Sequence, residues 1–387
     1  MAIRVEAVET VLVDLPTIRP HVLATSTMRT QTLVLVFVRF GDGICGLGEA
    51  TTIGGLSYGE ESPEGVKLAI DTYIAPILIG ADGSEPARLV QAIARLIVGN
   101  RFAKCAIETA LFDAHAKRNG LPLSAFFGGA LRDRLEVAWT LASGQTQKDI
   151  AEAERMLGER RHRIFKLKIG KRSVEEDVAH VAAIKAAVGD RASVRVDVNQ
   201  AWDRNAAQRG AAMLKDAGCD LIEQPLPAHD WRGMARLCRE SALPIMADEV
   251  LKGPHSAFDL ASAEAADVFA VKIQQSGGLE GAKRVAAIAD AANIALYGGT
   301  MLEAGVATAA SAHLFATFPI IKWGTELFGP LLMTEEILEE PLEYGDFTLK
   351  VPTGAGLGVA IDADRLARFR RDRSSHFHAV SAKSVAS

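Results

Sequence analysis

The chain has 387 residues, 49% of them hydrophobic and 24% charged, which is enough apolar material to fill a large core. A net charge of -5 and a pI near 6.0 argue against nucleic acid or an anionic membrane as the main partner, because either would favour a basic surface. The four cysteines form no CxxC pair and read as ordinary thiols of a reducing compartment, and no 18-residue apolar stretch occurs, so the expectation is a soluble, cytoplasmic protein.

Residues 1–130 read as an α+β domain. Segments 3–15 and 32–40 are rich in Val, Leu and Ile, and a third near 44–49 would complete an antiparallel meander. From Ser62 the pattern turns helical, and 102–119 ends at Gly120, a plausible C-cap followed by Pro122. A different rhythm then begins. Lys168, Asp197, Glu223, Asp248 and Lys272 each close a short apolar run, and the last four recur 26, 25 and 24 residues apart. A repeat of about 25 residues is the length of one strand-plus-helix unit of a parallel barrel. Eight strands are expected, at 135–141, 164–169, 193–198, 220–223, 244–248, 268–273, 294–297 and 320–326, with amphipathic helices such as 174–188 between them. The fold class is therefore α/β: a (β/α) barrel over 131–327 with an N-terminal α+β capping domain over 1–130. Residues 328–370 leave the repeat and return to the capping domain, and 371–387 read as a flexible tail.

In such a barrel the carboxyl ends of all strands converge on one face. Side chains alternate along a strand, so Phe165, Leu167 and Ile169 face the covering helices while Lys166 and Lys168 point inward. Each inward lysine raises the cost of charging the other, which would suit proton exchange near neutral pH; the alternative is a solvated edge strand. Asp197 and Asn199 repeat the inward pattern on the next strand, and Glu223 and Asp248 follow on the two after it. Singly, each acid could be a helix N-cap or an ion-pair partner. Three converged carboxylates repel one another unless a cation sits among them, and all-oxygen ligands favour Mg²⁺ or Mn²⁺. Lys272 closes the following strand and can face the lysine pair across the barrel mouth.

The order KxK, DVN, EQP, ADE, then a lone lysine before a GG pair resembles the enolase superfamily in its muconate-lactonizing subgroup. The stretches at 51–59, 138–144, 298–303 and 325–330 resemble muconate cycloisomerases as well, and the likeness runs from about residue 3 to 370. It implies Asp197, Glu223 and Asp248 as ligands of Mn²⁺ or Mg²⁺, with Lys168 transferring the proton, Lys166 beside it and Lys272 opposite. Glu326 would be a hydrogen-bonding acid near the reacting carboxylate. Ile53 and Tyr58 would lie on a loop closing over the substrate, with Asn199 and Thr300 also at the substrate. The reaction implied is the closure of cis,cis-muconate, a small dicarboxylate, to muconolactone in aromatic catabolism, by a homo-oligomer, an octamer by the same likeness.

Some positions depart from the pattern. Gln275 stands where family members often carry a basic residue, and Val22 and Ser26 replace polar or basic residues expected near Arg19. Chloromuconate cycloisomerases, o-succinylbenzoate synthases, N-acylamino acid racemases and dipeptide epimerases are the enzymatic alternatives, and a barrel that binds without turnover is the non-enzymatic one.

Overall fold

The computed structural model describes residues 3–22 and 27–371. Three antiparallel strands open the chain: β1 (Val5–Val22), β2 (Thr27–Phe40) and β3 (Cys45–Thr51). The predicted meander is present, and β1 runs seven residues beyond the expected end at 15. The helix Arg101–Arg118 lies against β3 at close range, because a Cβ at Gly46 or Gly48 would collide with the carbonyl oxygens of Ala110 and Ala106.

Expected strand 135–141 is divided between two sheets. β4 (Arg134–Glu136) pairs antiparallel with β13 (Thr348–Lys350), which in turn pairs with β12 (Tyr344–Gly345). Only β5 (Trp139–Leu141) joins the central sheet. There it is followed by β6 (Ile164–Lys168), β7 (Ser193–Asp197), β8 (Ile222–Glu223), β9 (Ile245–Ala247), β10 (Val268–Val271) and β11 (Ala295–Gly298). These seven strands are parallel and stand side by side in chain order, each linked to the next through a helix, the arrangement a parallel pair requires.

The expected eighth strand, 320–326, is not formed. Residues 320–323 are irregular, and a single residue, Thr325, makes parallel bridges to both edges of the sheet, at Val137 and at Gly298. Four backbone bonds of 2.7–3.0 Å secure it: Thr325 to Glu136, Ala138 to Thr325, Glu326 to Gly298 and Gly298 to Gly324. The sheet is therefore curled until its two edges are joined through one short segment.

The interhelical segments follow the expected chemistry. Val174–Val188 is helical to the residue, begun by a capping box in which Ser173 and Glu176 satisfy each other's backbone N–H groups, and its Val178, Val181, Ile184 and Val188 are buried. Most core residues form one cluster shared by the three-stranded sheet, the helices and the outer faces of the strands. A second, small cluster of Leu221, Met246, Val268, Ala270 and Tyr297 comes from inward positions of the strands. Alternation then places Glu223, Asp248 and Lys272 one inward step further along β8, β9 and β10, so a charged layer caps an apolar one.

The last segment returns to the first sheet. Met333 bridges Thr17, Arg370 bridges Val13, and Arg371 donates two bonds of 2.7 Å to Asp14. Position 371, expected to start a flexible tail, is thus held in place, while 372–387 lie outside the described residues, as does Ser26. Among the described residues no helix is long and apolar enough to cross a membrane.

Candidate active site

Strand register builds the site. Lys168 sits beside Asp197 in the β6–β7 pairing, and Asp197 beside Glu223 in the β7–β8 pairing. Lys168 Nζ donates to Asp197 Oδ2 at 2.5 Å and to Asn199 Oδ1 at 3.0 Å. Lys166 Nζ lies 3.0 Å from Glu223 Oε2 and 3.5 Å from Asp197 Oδ2, and also ion-pairs with Glu326. Both Asp248 carboxylate oxygens lie 2.7 Å from Lys272 Nζ, with Oδ2 the one aligned as a hydrogen-bond acceptor.

The first domain reaches into this layer. Tyr58 donates its hydroxyl proton to Asp248 Oδ2 at 2.6 Å, accepts from Lys272 Nζ at 2.9 Å and places its ring 4.9 Å from that ammonium. Ile53, Tyr58, Thr300 and Glu326 line one cavity together with Lys166, Lys168, Lys272, Asp197 and Asp248. Glu223 lies just beneath through Lys166. Asn199 stands behind Lys168, bonded on its other side to Glu249 at 3.0 Å. Sequence reasoning did not single out three further lining residues, Thr140, Leu302 and Phe328. They lie within the stretches 138–144, 298–303 and 325–330 that carry the family likeness, but no local pattern marked them individually. Leu302 carries a weak backbone signal, a left-handed φ of 61° that a branched side chain rarely adopts. The space left inside holds about one water molecule.

Charge in this layer is unevenly shared. Burial works against ionisation of Asp197, but the ammonium groups of Lys168 and Lys166 hold its carboxyl down at about 2. Glu223 is pushed well above the usual carboxylate range by burial and by the Asp197 charge, against the pull of Lys166. Burial also opposes the Lys166 charge, yet Glu223, Glu326 and Asp197 keep that amine well above an ordinary lysine. The expectation that the two lysines would weaken each other's charge is therefore corrected for Lys166: the acids around it outweigh its neighbour.

The three acids do not form a metal shell as they stand. Among the described residues no three Asp, Glu, His or Cys side chains are gathered closely enough to hold an ion, because each acid is turned toward a lysine. The donor set nevertheless suits a hard divalent cation. It is all oxygen, it ends three adjacent strands, and the neighbouring Glu249 keeps a buried Oε2 without a hydrogen-bond partner.

Residues 7–128 match the family described as Mandelate racemase / muconate lactonizing enzyme, N-terminal domain, and 148–365 match Enolase C-terminal domain-like. Muconate cycloisomerase 1-2 of Acinetobacter lwoffii is 60% identical over 370 residues, 96% of each chain. A chloromuconate cycloisomerase of Pseudomonas putida is 43% identical over 95% of this chain and 99% of its own. The crystal structure of a muconate lactonizing enzyme from Pseudomonas fluorescens, complexed with muconolactone, superposes with a TM-score of 0.95 at 57% identity, covering 96% of this chain and all of that one.

Proposed function

The chain belongs to the mandelate racemase / muconate lactonizing enzyme family, and on that premise we propose that it is an isomerase closing cis,cis-muconate to muconolactone. The observation that carries the reading is the position of Lys168: its ammonium is at the cavity wall, fixed by Asp197 and Asn199, with Lys272 and Tyr58 lining the same cavity. Higher identity to the unchlorinated enzyme, 60% against 43%, favours muconate over its chlorinated analogues.

In this reading one substrate carboxylate adds to the conjugated double bond, forming a C–O bond. The π pair of that one double bond moves toward the other carboxylate, leaving the second double bond in place, and Lys168 Nζ gives a proton to the carbon next to that carboxylate. Solvent reprotonates the amine, so the dianion becomes a monoanionic lactone with one proton taken up. Asp197 and Asn199 keep the lysine aimed, while Lys272 and Lys166 hold positive charge toward the substrate's carboxylates. Asp197, Glu223 and Asp248 would hold Mn²⁺ or Mg²⁺, which would supply positive charge to stabilise the negative charge that develops on the substrate. Ile53 and Tyr58, carried on the 52–61 loop, exclude water once the loop is closed.

The same reading takes 131–327 as the (β/α) barrel, 1–130 with 328–370 as its cap, and the working form as a cytoplasmic homo-oligomer. Loss of cis,cis-muconate absorbance with purified protein and Mn²⁺ is the direct test. Rapid loss that stops on chelation and returns with the ion is expected. No loss, with turnover of N-acylamino acids or dipeptides instead, would overturn the substrate while leaving the family intact.

A further inference from the structure

Gln274 is fully buried, two residues beyond Lys272, and its side-chain amide joins three segments. Its Oε1 accepts from the Thr51 N–H at 2.9 Å, and its Nε2 donates to Thr51 Oγ1 at 3.0 Å and to Glu303 Oε1 at 3.1 Å. Thr51 is the last residue of β3 and leads directly into the 52–61 loop that carries Ile53 and Tyr58. The other oxygen of Glu303 accepts from the Met301 N–H at 2.9 Å and from the hydroxyl of Thr300, a cavity residue. Further clasps join the same two sides: Gln31 Nε2 donates to Leu302 O at 2.9 Å, and Thr51 Oγ1 lies 3.4 Å from Met301 O.

The segment held this way also supports an active-site amine. A Cβ at Gly299 would lie 2.8 Å from Lys272 Cγ and 2.9 Å from its Cε, so the backbone at 299 is the wall against which the Lys272 stem rests. The path of contact runs from the edge of the first sheet through Gln274 to Glu303, to residues 299–303, and back to Lys272. A side-chain amide accepts from Thr51 and donates to Glu303 at once without carrying charge. A buried acceptor and donor left unpaired would each carry a desolvation cost, which makes the closed arrangement depend on this group.

We propose that Gln274 is a positioning residue for the lactonization: it pins the closing loop to the 299–303 segment, so that loop closure and the placement of Thr300 and Lys272 are one event. This rests on the functional reading above. Gln274→Met keeps the volume and removes the pin. In the full-length protein without substrate, hydrogen exchange of amides 52–61 and 299–303 should speed up by about tenfold, with the helices on the far side of the sheet unchanged. The KM for cis,cis-muconate should rise about five- to tenfold while kcat falls less than about threefold, since Lys168 hangs on β6 and β7, outside the pinned segment. Thr51→Val removes the side-chain half of the same pin and leaves the Thr51 N–H bonded to Gln274 Oε1, so the same exchange pattern is expected at smaller amplitude. The double variant should fall short of the sum of the two single variants, since both remove the Gln274–Thr51 side-chain bond, and should exceed Gln274→Met only by the loss of the Thr51 Oγ1–Met301 O contact.

Unchanged exchange and unchanged KM in a folded Gln274→Met protein would overturn the proposal, as would additive effects or exchange accelerated evenly over the whole chain. If Gln274→Met does not accumulate as folded protein, Thr51→Val decides by the same measurements. Wild-type protein inactive on muconate but carrying the exchange difference would instead count against the substrate and leave the pin standing.

Discussion

β7 carries two inward charged residues, Arg195 and Asp197, both buried and two positions apart, yet they end in opposite surroundings. Asp197 opens into the mouth, where three lysines and a set of carboxylates pair with one another around a cavity. Arg195 lies at the floor, its guanidinium 4.9 Å from the Trp323 ring and 5.5 Å from the Tyr297 ring, with Nη1 bonded to the Trp323 carbonyl at 2.6 Å. Among the described residues no carboxylate lies within ion-pair distance of it. The floor holds its cation with aromatic faces, the Ser193 hydroxyl and a backbone oxygen. The mouth uses side chains that can exchange one partner for another, which is what an entering dianion demands.

The largest expected effect belongs to the mouth. Lys168→Ala should lower kcat by about 10³-fold, the size typical of losing a general acid, in a protein that still folds but melts at a lower temperature because the buried Asp197 loses a partner. A variant that retained more than a tenth of wild-type turnover in the absorbance assay would break the assignment.

Acid should act on the other end. His162, just before β6, stacks on Trp139 at 5.0 Å, hydrogen-bonds to the Val137 carbonyl at 2.9 Å and is pushed by burial down to about 4. The unfolded chain protonates this ring near pH 6.5 and the folded one only near 4, so the unfolded state binds more protons between those values. Stability should therefore fall as pH drops from about 6.5 to 4, by about 3 kcal/mol from this group, and His162→Gln should flatten that part of the urea-melting profile. A profile with the same slope in both proteins would remove His162 from the account.

Two smaller effects sharpen the contrast. Gly299→Ala places a methyl against the Lys272 stem and should cost about 10- to 100-fold in kcat/KM with a stability change under about 1.5 kcal/mol. Arg195→Met should do the reverse, lowering stability by about 1–3 kcal/mol through the unpaired Trp323 carbonyl while leaving turnover per folded molecule within about twofold. If Arg195→Met reduced turnover as strongly as Gly299→Ala, the division between mouth and floor would not hold.

The sequence by itself determined the strand ends and their chemistry. Alternation along 164–169 and 193–198 is a local property of extended backbone, so Lys166, Lys168, Asp197 and Asn199 could be placed inward before any contact was known, and the 25-residue rhythm brought Glu223, Asp248 and Lys272 to the same face. The helix at 174–188 was equally legible because its cap and its apolar spacing lie within the segment itself. Only the tertiary structure decided what depends on partners distant in sequence. The strand expected at 135–141 divides because β13, more than two hundred residues later, takes its first half. The strand expected at 320–326 contracts to Thr325 because one residue suffices to bridge both edges of the curled sheet. Thr140, Leu302, Phe328 and the Gln274 pin belong to this second class. A side chain's hydrogen-bond partners and cavity neighbours are fixed by how separate segments meet in space, and no local pattern of residues encodes that meeting.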